Sequence, residues 1–192
     1  MPTKARGFTL VELLVTVAIA AILLSLAAPS FKRTIQSNNM SNAVNTFMTD
    51  LRFARSEAIR RGGHVILCRA DPADATTPSC LTATASGNPG WATGWIVFQD
   101  VDGDGTYSSG DKILRVQTSL GGLDAILEGT ATNSTAFNFT ATGRLTTTAS
   151  AATVKFGSTS FSSSLQRVVC VSAGGRARIA GDGTTACGSS NE

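Results

Sequence analysis

A short segment near the end of the chain contains the residues best suited to bind an anion. It reads Gly175-Arg176-Ala177-Arg178. Two arginines at i and i+2 of an extended segment point to the same side, so both could grip successive backbone phosphates while the glycine lets the main chain approach. Without interleaved aromatic residues, such binding is expected to be independent of base sequence. Arg167 is a further candidate contact. The alternative interpretation is that this segment is only a solvated hairpin tip.

An acidic segment in the middle of the chain has the spacing of a calcium loop. Counting from Asp100, oxygen ligands fall at positions one, three and five (Asp100, Asp102, Asp104), Gly105 is at six, and Asp111 is at twelve. Position twelve is an Asp instead of the usual Glu, and the flanking residues favour strands over helices. Asp-Gly repeats also form tight turns by themselves. We therefore prefer an acidic hairpin turn and keep calcium binding as the alternative.

A single carboxylate lies within the long apolar run at the start of the chain. From Phe8 to Ala28, Glu12 is the only residue with a formal charge. A helix of this length crosses a hydrocarbon core of about 30 Å. A charged side chain near the centre of such a helix costs roughly 2.5 to 3.5 kcal/mol on insertion scales. That cost indicates that Glu12 has a function.

The residues before the apolar run are short and basic. Lys4 and Arg6 precede Gly7, and Pro29 makes Ala27-Ala28 a poor site for an ordinary signal peptidase. This order resembles the class III leader of type IV pilins and type II secretion pseudopilins. The resemblance implies that prepilin peptidase cleaves after Gly7 and methylates Phe8.

By the same resemblance, Glu12 would neutralise the methylated amine of a neighbouring subunit. The implied location is the inner membrane, crossed once with a periplasmic head, followed by incorporation into a pilus or pseudopilus. A signal anchor with an interfacial glutamate is the alternative.

Composition and charge indicate an anchored globular protein. The chain has 192 residues, 15% of them charged, and a formal net charge of +3, which falls to +1 without Lys4 and Arg6. A general polyanion-binding surface is therefore not indicated. We expect a leader (1–7), a transmembrane helix (8–28), an amphipathic stem helix (29–61) and a β-rich head (62–192).

Four cysteines follow the membrane segment: Cys68, Cys80, Cys170 and Cys187. In an oxidising periplasm they could form two disulfides, and the shortest loops are closed by pairing the first two and the last two. Each bond could contribute about 3 kcal/mol by restricting the unfolded chain. A zinc site is less well supported, because the chain has no CxxC spacing and a single histidine.

An apolar stripe continues the helix beyond Pro29. It consists of Val44, Phe47, Met48, Leu51, Ala54 and Ala58, spaced for one helix face, and Gly62-Gly63 predicts the helix end near Arg61. Only strand candidates follow: 64–68, 91–99, 112–120, 123–127, 135–140, 153–157 and 165–172. The fold class is thus α+β, a long amino-terminal helix packed on an antiparallel sheet.

The head pattern is similar to that of the GspH/FimT-type minor pilins. The similarity rests on residues 54–58 near the stem's end, Gly94-Trp95-Ile-Val-Phe98, the acidic turn, and a closing Arg-Val-Val-Cys-Val strand before Gly-Arg. The segment 175–178 resembles the GRxR motif of FimT minor pilins, which bind DNA during natural transformation.

That resemblance implies a minor type IV pilin whose partners are DNA, other major and minor pilins and prepilin peptidase. The alternative is a structural GspH-like pseudopilin of type II secretion, or a priming minor pilin without DNA binding. Lacking a nucleophile motif or phosphate loop, the chain is not expected to be an enzyme, nor to need a cofactor other than a possible calcium ion.

Overall fold

We describe the protein from a computed structural model, over residues 7–70, 78–81, 89–128, 135–146, 152–158 and 160–188. It divides into two compact units, Met1–Asn38 and Asn39–Glu192. In the described ranges, one long helix precedes a short 3-10 helix and the strands. In chain order the elements are α1 (Leu10–Arg61), β1 (Val65–Arg69), the 3-10 helix (Trp91–Thr93), β2 (Trp95–Gln99), β3 (Lys112–Gln117), β4 (Ile126–Glu128), β5 (Ala136–Phe139), β6 (Ala152–Phe156), β7 (Arg167–Val171) and β8 (Ala177–Gly181).

The first unit holds the apolar part of α1, whose large hydrophobic side chains are exposed from Phe8 to Phe31. Helix α1 runs through Pro29. It is long and apolar enough to cross a membrane by length and composition. Its start is a capping box, in which Thr9 and Glu12 hydrogen-bond each other reciprocally.

Two glycines end α1 at Arg61. Gly62 and Gly63 have φ angles of +83° and +109°, in the region that glycine adopts without strain. The amide of Gly63 donates to the carbonyl of Ala58 at 2.8 Å, the long-range bond of a Schellman motif. The chain thereby reverses directly into β1.

The strands of the second unit form two four-stranded antiparallel sheets. Their orders are β3-β2-β1-β5 and β4-β6-β7-β8. The prediction of a long helix packed on antiparallel strands is confirmed, with two sheets instead of one.

The predicted stripe on α1 is buried at every position and forms part of the core. Phe47 is the centre of an aromatic cluster. Its ring lies 5.3 to 6.2 Å from four other rings, at steep interplanar angles that suit aromatic pairs. Those rings belong to Trp91, Trp95, Phe137 and Phe156. Both sheets therefore pack on this part of the helix.

A buried carboxylate joins α1 to the first sheet. Asp50 is 3% exposed and accepts a hydrogen bond of 2.8 Å from the indole Nε1 of Trp95. It also pairs with Arg115 of β3, whose guanidinium lies 4.1 Å from the ring centre of Phe53. The pairing satisfies a charge that would be costly to bury alone.

The strand predicted over 91–99 is wrong in its first part. Trp91–Thr93 forms a 3-10 turn, because Gly94 has a φ of +125° and packs so closely on β3 that an added Cβ would lie 2.4 Å from the carbonyl oxygen of Gln117. Strand β8 was absent from the predicted strands. Its sequence, Ala-Arg-Ile-Ala-Gly, lacks the alternation of apolar and polar residues that identifies a half-buried strand.

Candidate nucleic-acid interface

The arginines of the Gly-Arg-Ala-Arg segment lie at the turn of the β7–β8 hairpin and at the start of β8. Arg178 is the cross-strand partner of Cys170, and Ala177 is the partner of Val171. Val171 and Ala177 pack with the core, so their neighbours Cys170, Arg176 and Arg178 face away from it. Both arginine side chains are exposed on this outer face.

Gly175 shapes the turn that precedes the two arginines. Its φ is +72°, and its amide donates to the carbonyl of Ser172 at 2.8 Å. A Cβ added at Gly175 would lie 2.1 Å from the carbonyl oxygen of Gly143. Only glycine therefore lets this turn approach the loop that contains Gly143.

The loop that contains Gly143 places two more arginines near the hairpin turn: Arg144, which belongs to the loop, and Arg55, which the loop contacts on α1. Thr140 closes the loop, exchanging main-chain and side-chain hydrogen bonds with Arg144. Gly143, with a φ of +73°, lies against the side chains of Arg55 and Ile59 on α1, where an added Cβ would approach both to 2.9 Å. Helix, loop and hairpin are thus packed together through two glycines.

The three segments enclose a groove of about 750 Å³. Four arginines line it: Arg55 from α1, Arg144 from the loop, and Arg176 and Arg178 from the hairpin. The other lining residues are small or carry a hydroxyl group, with no aromatic ring among them: Thr142, Cys170, Ser172, Ala173, Gly174, Ala177 and Gly188.

The positive charge of this groove is not neutralised by the described part of the chain. The ion pairs found there involve other residues, so no described carboxylate lies within 4.0 Å of these four guanidinium groups. The Nε atom of Arg55 is buried without a hydrogen-bond partner among those residues. An unsatisfied buried donor costs about 1 to 3 kcal/mol. Arg55 is therefore held at the groove at some cost in stability.

Sequence reasoning did not find Arg55 and Arg144 as members of this site. Arg55 was noted only as part of a stem motif, and Arg144 has no local motif. The sequence indicated a role for them only indirectly, because both are basic residues in a chain whose net charge is low. Their common position depends on the packing of Gly143.

Arg167 lies at the opposite end of β7 from the groove. Its cross-strand partner is Phe156, and its guanidinium donates to the carbonyls of Ser164 and Gln166 at 2.7 and 2.8 Å. The structure does not bring Arg167 together with Arg176 and Arg178, and it is not among the lining residues.

The acidic segment forms the turn between β2 and β3. One carboxylate oxygen each from Asp100, Asp102 and Asp104 lies within 4.8 Å of the others, a group that does not include Asp111. Asp100 accepts from the amides of Gly103 and Gly105, and Asp111 from those of Val101 and Ser108. Burial raises the pKa of Asp111, but the hydrogen bonds from Val101 and Ser108 together outweigh that effect and lower it. The carboxylates thus already hold the turn together, and calcium binding stays a prediction.

The cysteines form the two short-loop disulfides, Cys68–Cys80 and Cys170–Cys187. The first packs in a small apolar cluster with Ile66 and Phe98, on the outer side of the first sheet. The second lies at the arginine groove, because Cys170 is a lining residue. The two bonds therefore have separate surroundings.

The residues expected to act in processing and assembly lie at the start of the first unit. Gly7 has no atom near its Cβ position, and Phe8 is 83% exposed. Glu12 occupies the first turn of α1, bonded to Thr9. Cleavage after Gly7, methylation of Phe8 and an assembly role for Glu12 stay predictions.

An apolar amino-terminal helix whose second half packs on antiparallel sheets is the architecture of a pilin-like protein. Residues 43–175 match the family model of type II transport protein GspH, and residues 2–28 match the prokaryotic N-terminal methylation motif. The chain belongs to the GspH family. The family match ends at Gly175, before Arg176 and Arg178.

Among solved structures, the chain is similar to the type IV minor pilin FimU of Pseudomonas aeruginosa. For a crystal form in space group P21 the TM-score is 0.52 at 19% identity, covering 74% of this chain and 88% of FimU. For the P65 form the TM-score is 0.46 at 19% identity, covering 72% and 90%. Comparison with curated protein sequences finds no match.

The family and the methylation motif establish the setting of the chain. It is a minor pilin-like or pseudopilin-like protein, held in the inner membrane by one apolar helix before incorporation into a filament. Its partners include other pilins and prepilin peptidase. Proteins of this family are structural components rather than enzymes.

Proposed function

We propose that this chain is a minor type IV pilin that binds DNA without sequence preference, for uptake during natural transformation. The observation that supports this most directly is the groove, where four arginines from three separate segments converge. Among the described residues these four like charges have no carboxylate partner, and their mutual repulsion favours the binding of an anion. The DNA backbone supplies phosphate groups at regular spacing.

The chemistry of the groove favours the phosphate backbone over the bases. Guanidinium groups bind phosphate oxygens through paired hydrogen bonds, and the hydroxyls of Thr142 and Ser172 can add neutral ones. Among the described lining residues, none offers an aromatic surface for stacking or a side-chain amide for reading base edges. We therefore expect duplexes of different sequence to bind with similar affinity.

The test is DNA binding by the full-length chain in detergent, measured by fluorescence anisotropy with a labelled duplex. The double variant Arg176→Gln/Arg178→Gln should bind about 10- to 100-fold more weakly, because each exposed ion pair contributes about 1 kcal/mol. Its slope of log K against log salt should be flatter by about 1.8, since each lost phosphate contact removes about 0.9. Arg144→Gln should flatten the slope by about 0.9.

Arg52→Gln is the matched control, because Arg52 is an exposed arginine on the same helix as Arg55 but does not line the groove. It should leave the slope nearly unchanged. Arg167→Gln should have a smaller effect than Arg176→Gln, since its guanidinium is already bonded to two carbonyls. A wild-type chain that does not bind the duplex, or groove variants that match Arg52→Gln, would contradict the proposal.

A second candidate function is that of a structural pseudopilin in type II secretion, or of a priming minor pilin without a DNA ligand. It is favoured by the family description, type II transport protein GspH. In that case the groove arginines would contact other subunits. Arg176→Gln/Arg178→Gln would then reduce filament assembly while the purified wild-type chain bound no DNA.

A further inference from the structure

The disulfide Cys170–Cys187 is built into the wall of the arginine groove. Cys170 lines the groove and is the cross-strand partner of Arg178. Gly188, the residue after Cys187, lines the groove as well. The bond therefore attaches the segment that follows β8 to the strand beside Arg178.

Among the described residues, hydrogen bonds hold the first part of that segment. The amide of Gly183 donates to the carbonyl of Ser163 at 3.0 Å, and Thr184 and Thr185 bond to Asp182. The side-chain and main-chain hydrogen bonds from Thr184 also lower the pKa of Asp182. In the part of the chain that the structure describes, we find no hydrogen bond to residues 186–188. There the disulfide is the bond that keeps Gly188 at the groove.

We propose that the groove reaches its full affinity for DNA only when Cys170 and Cys187 are oxidised, an inference that rests on the proposed function. With the bond formed, Gly188 is fixed as a wall next to Arg178. Without it, residues 186–188 must be ordered again each time DNA binds, and that loss of conformational freedom weakens binding. Formation of this disulfide by a thiol oxidant therefore has to precede DNA capture.

The chemical step is a thiol–disulfide exchange. The thiolate of an added dithiol attacks Sγ of Cys187, which is half-buried, whereas Cys170 is 2% exposed. The Cys170–Cys187 bond breaks, and Cys170 leaves as a thiolate that takes up a proton. The second thiol of the reagent then displaces Cys187 and closes a cyclic disulfide. Two electrons pass from the dithiol to the cysteine pair.

The test compares DNA affinity before and after reduction with dithiothreitol, using the full-length chain in detergent and the labelled duplex. The oxidised wild type should bind about 10-fold more tightly than the reduced protein. Cys170→Ser/Cys187→Ser should bind like the reduced wild type and should not respond to dithiothreitol. Tryptophan fluorescence monitors folding, because Trp91 and Trp95 are buried in the head.

Cys68→Ser/Cys80→Ser is the matched control, since it removes the disulfide that is remote from the groove. When oxidised it should bind like the wild type, and reduction should weaken it about 10-fold. If the 170/187 variant does not fold, this second variant decides the question.

Affinity that changes less than twofold on reduction of a folded protein overturns the inference. So does weakened binding that coincides with lost tryptophan burial, because the disulfide would then act on the whole head. If the oxidised wild type does not bind DNA, the proposed function fails, and this inference fails with it.

Discussion

At the scale of single residues, two glycines determine where the arginines stand. Gly175 allows the hairpin turn to contact the carbonyl of Gly143, and Gly143 in turn packs on Arg55. Both residues have positive φ angles. A side chain at either position would separate the segments that supply the positive charge.

We expect Gly175→Ala to destabilise the head more than Gly105→Ala does. Both positions have positive φ, which costs an alanine about 1 to 2 kcal/mol. Gly105 has open space around its Cβ position, whereas an alanine at 175 also meets the backbone of Gly143. Such overpacking adds about 1 to 3 kcal/mol. Urea unfolding followed by tryptophan fluorescence measures the difference.

The same pair of variants separates stability from the geometry of the groove. Gly175→Ala should also weaken DNA binding, whereas Gly105→Ala should not. Equal losses of stability in the two variants would mean that the turn can move away from Gly143 without cost.

Sequence reasoning could identify Arg176 and Arg178, because the spacing of two is a local property of an extended chain. It could not place Arg144 or Arg55 beside them. That proximity is created by a contact between Gly143 and the helix, which no local pattern encodes.

At the scale of elements, the carboxyl end of α1 is held by a cluster of charges. Glu57 accepts from Arg60 at 3.0 Å and from Arg61 at 2.7 Å. Arg61 also donates to the side chain of Gln99 on β2 at 2.6 Å. Glu57 thus helps to fix the arginine that links the helix to the first sheet.

Unfolding at low pH should reveal the contribution of Glu57. Hydrogen bonds from Arg60 and then Arg61 lower the pKa of Glu57 from its ordinary value of 4.5 to about 2. Because the folded pKa is the lower one, the stabilisation is complete above pH 4.5 and is lost as the pH falls through 2. At neutral pH, Glu57→Gln should cost about 1 kcal/mol, since Arg60 is 64% exposed and its ion pair is screened by water.

The measurement is urea unfolding of wild type and Glu57→Gln at several pH values. The difference between their free energies of unfolding should shrink steadily below pH 4.5 and approach zero near pH 2. A difference that does not change with pH would assign the effect to packing instead of charge.

The elements differ in how well the sequence predicts them. The stripe on α1 is predicted from Val44 to Ala58, because a period of 3.6 residues is visible along one segment, whereas its first members, Met40 and Ala43, were missed. The division into two sheets is not, since strand pairing depends on contacts between distant segments. Strand β8 was missed because it is an edge strand whose residues are mostly exposed or half-buried.

At the scale of the whole molecule, we predict that assembly depends on the first turn of α1. Glu12 has two possible uses: it caps the helix with Thr9, and it can neutralise the amine of a neighbouring subunit. The capping box needs a hydrogen-bond acceptor at position 12, which glutamine also provides. Neutralisation of an amine needs the negative charge.

We therefore expect Glu12→Gln to be excluded from filaments, as we also expect for Glu12→Ala, although the glutamine variant keeps its helix cap. Thr9→Val, which removes the hydroxyl but keeps the charge, is the matched control and should be incorporated. Immunoblots of sheared filaments, normalised to total protein in the membrane, measure incorporation. Normal incorporation of Glu12→Gln would limit the role of Glu12 to capping.

The burial of the α1 stripe also determines how a soluble form of the head has to be designed. The core of the second unit includes side chains from Met40 to Ala58. A fragment that begins after the helix would lack Phe47 and leave four aromatic rings without their central contact. For recombinant expression, the first codon of a soluble head therefore belongs upstream of Met40.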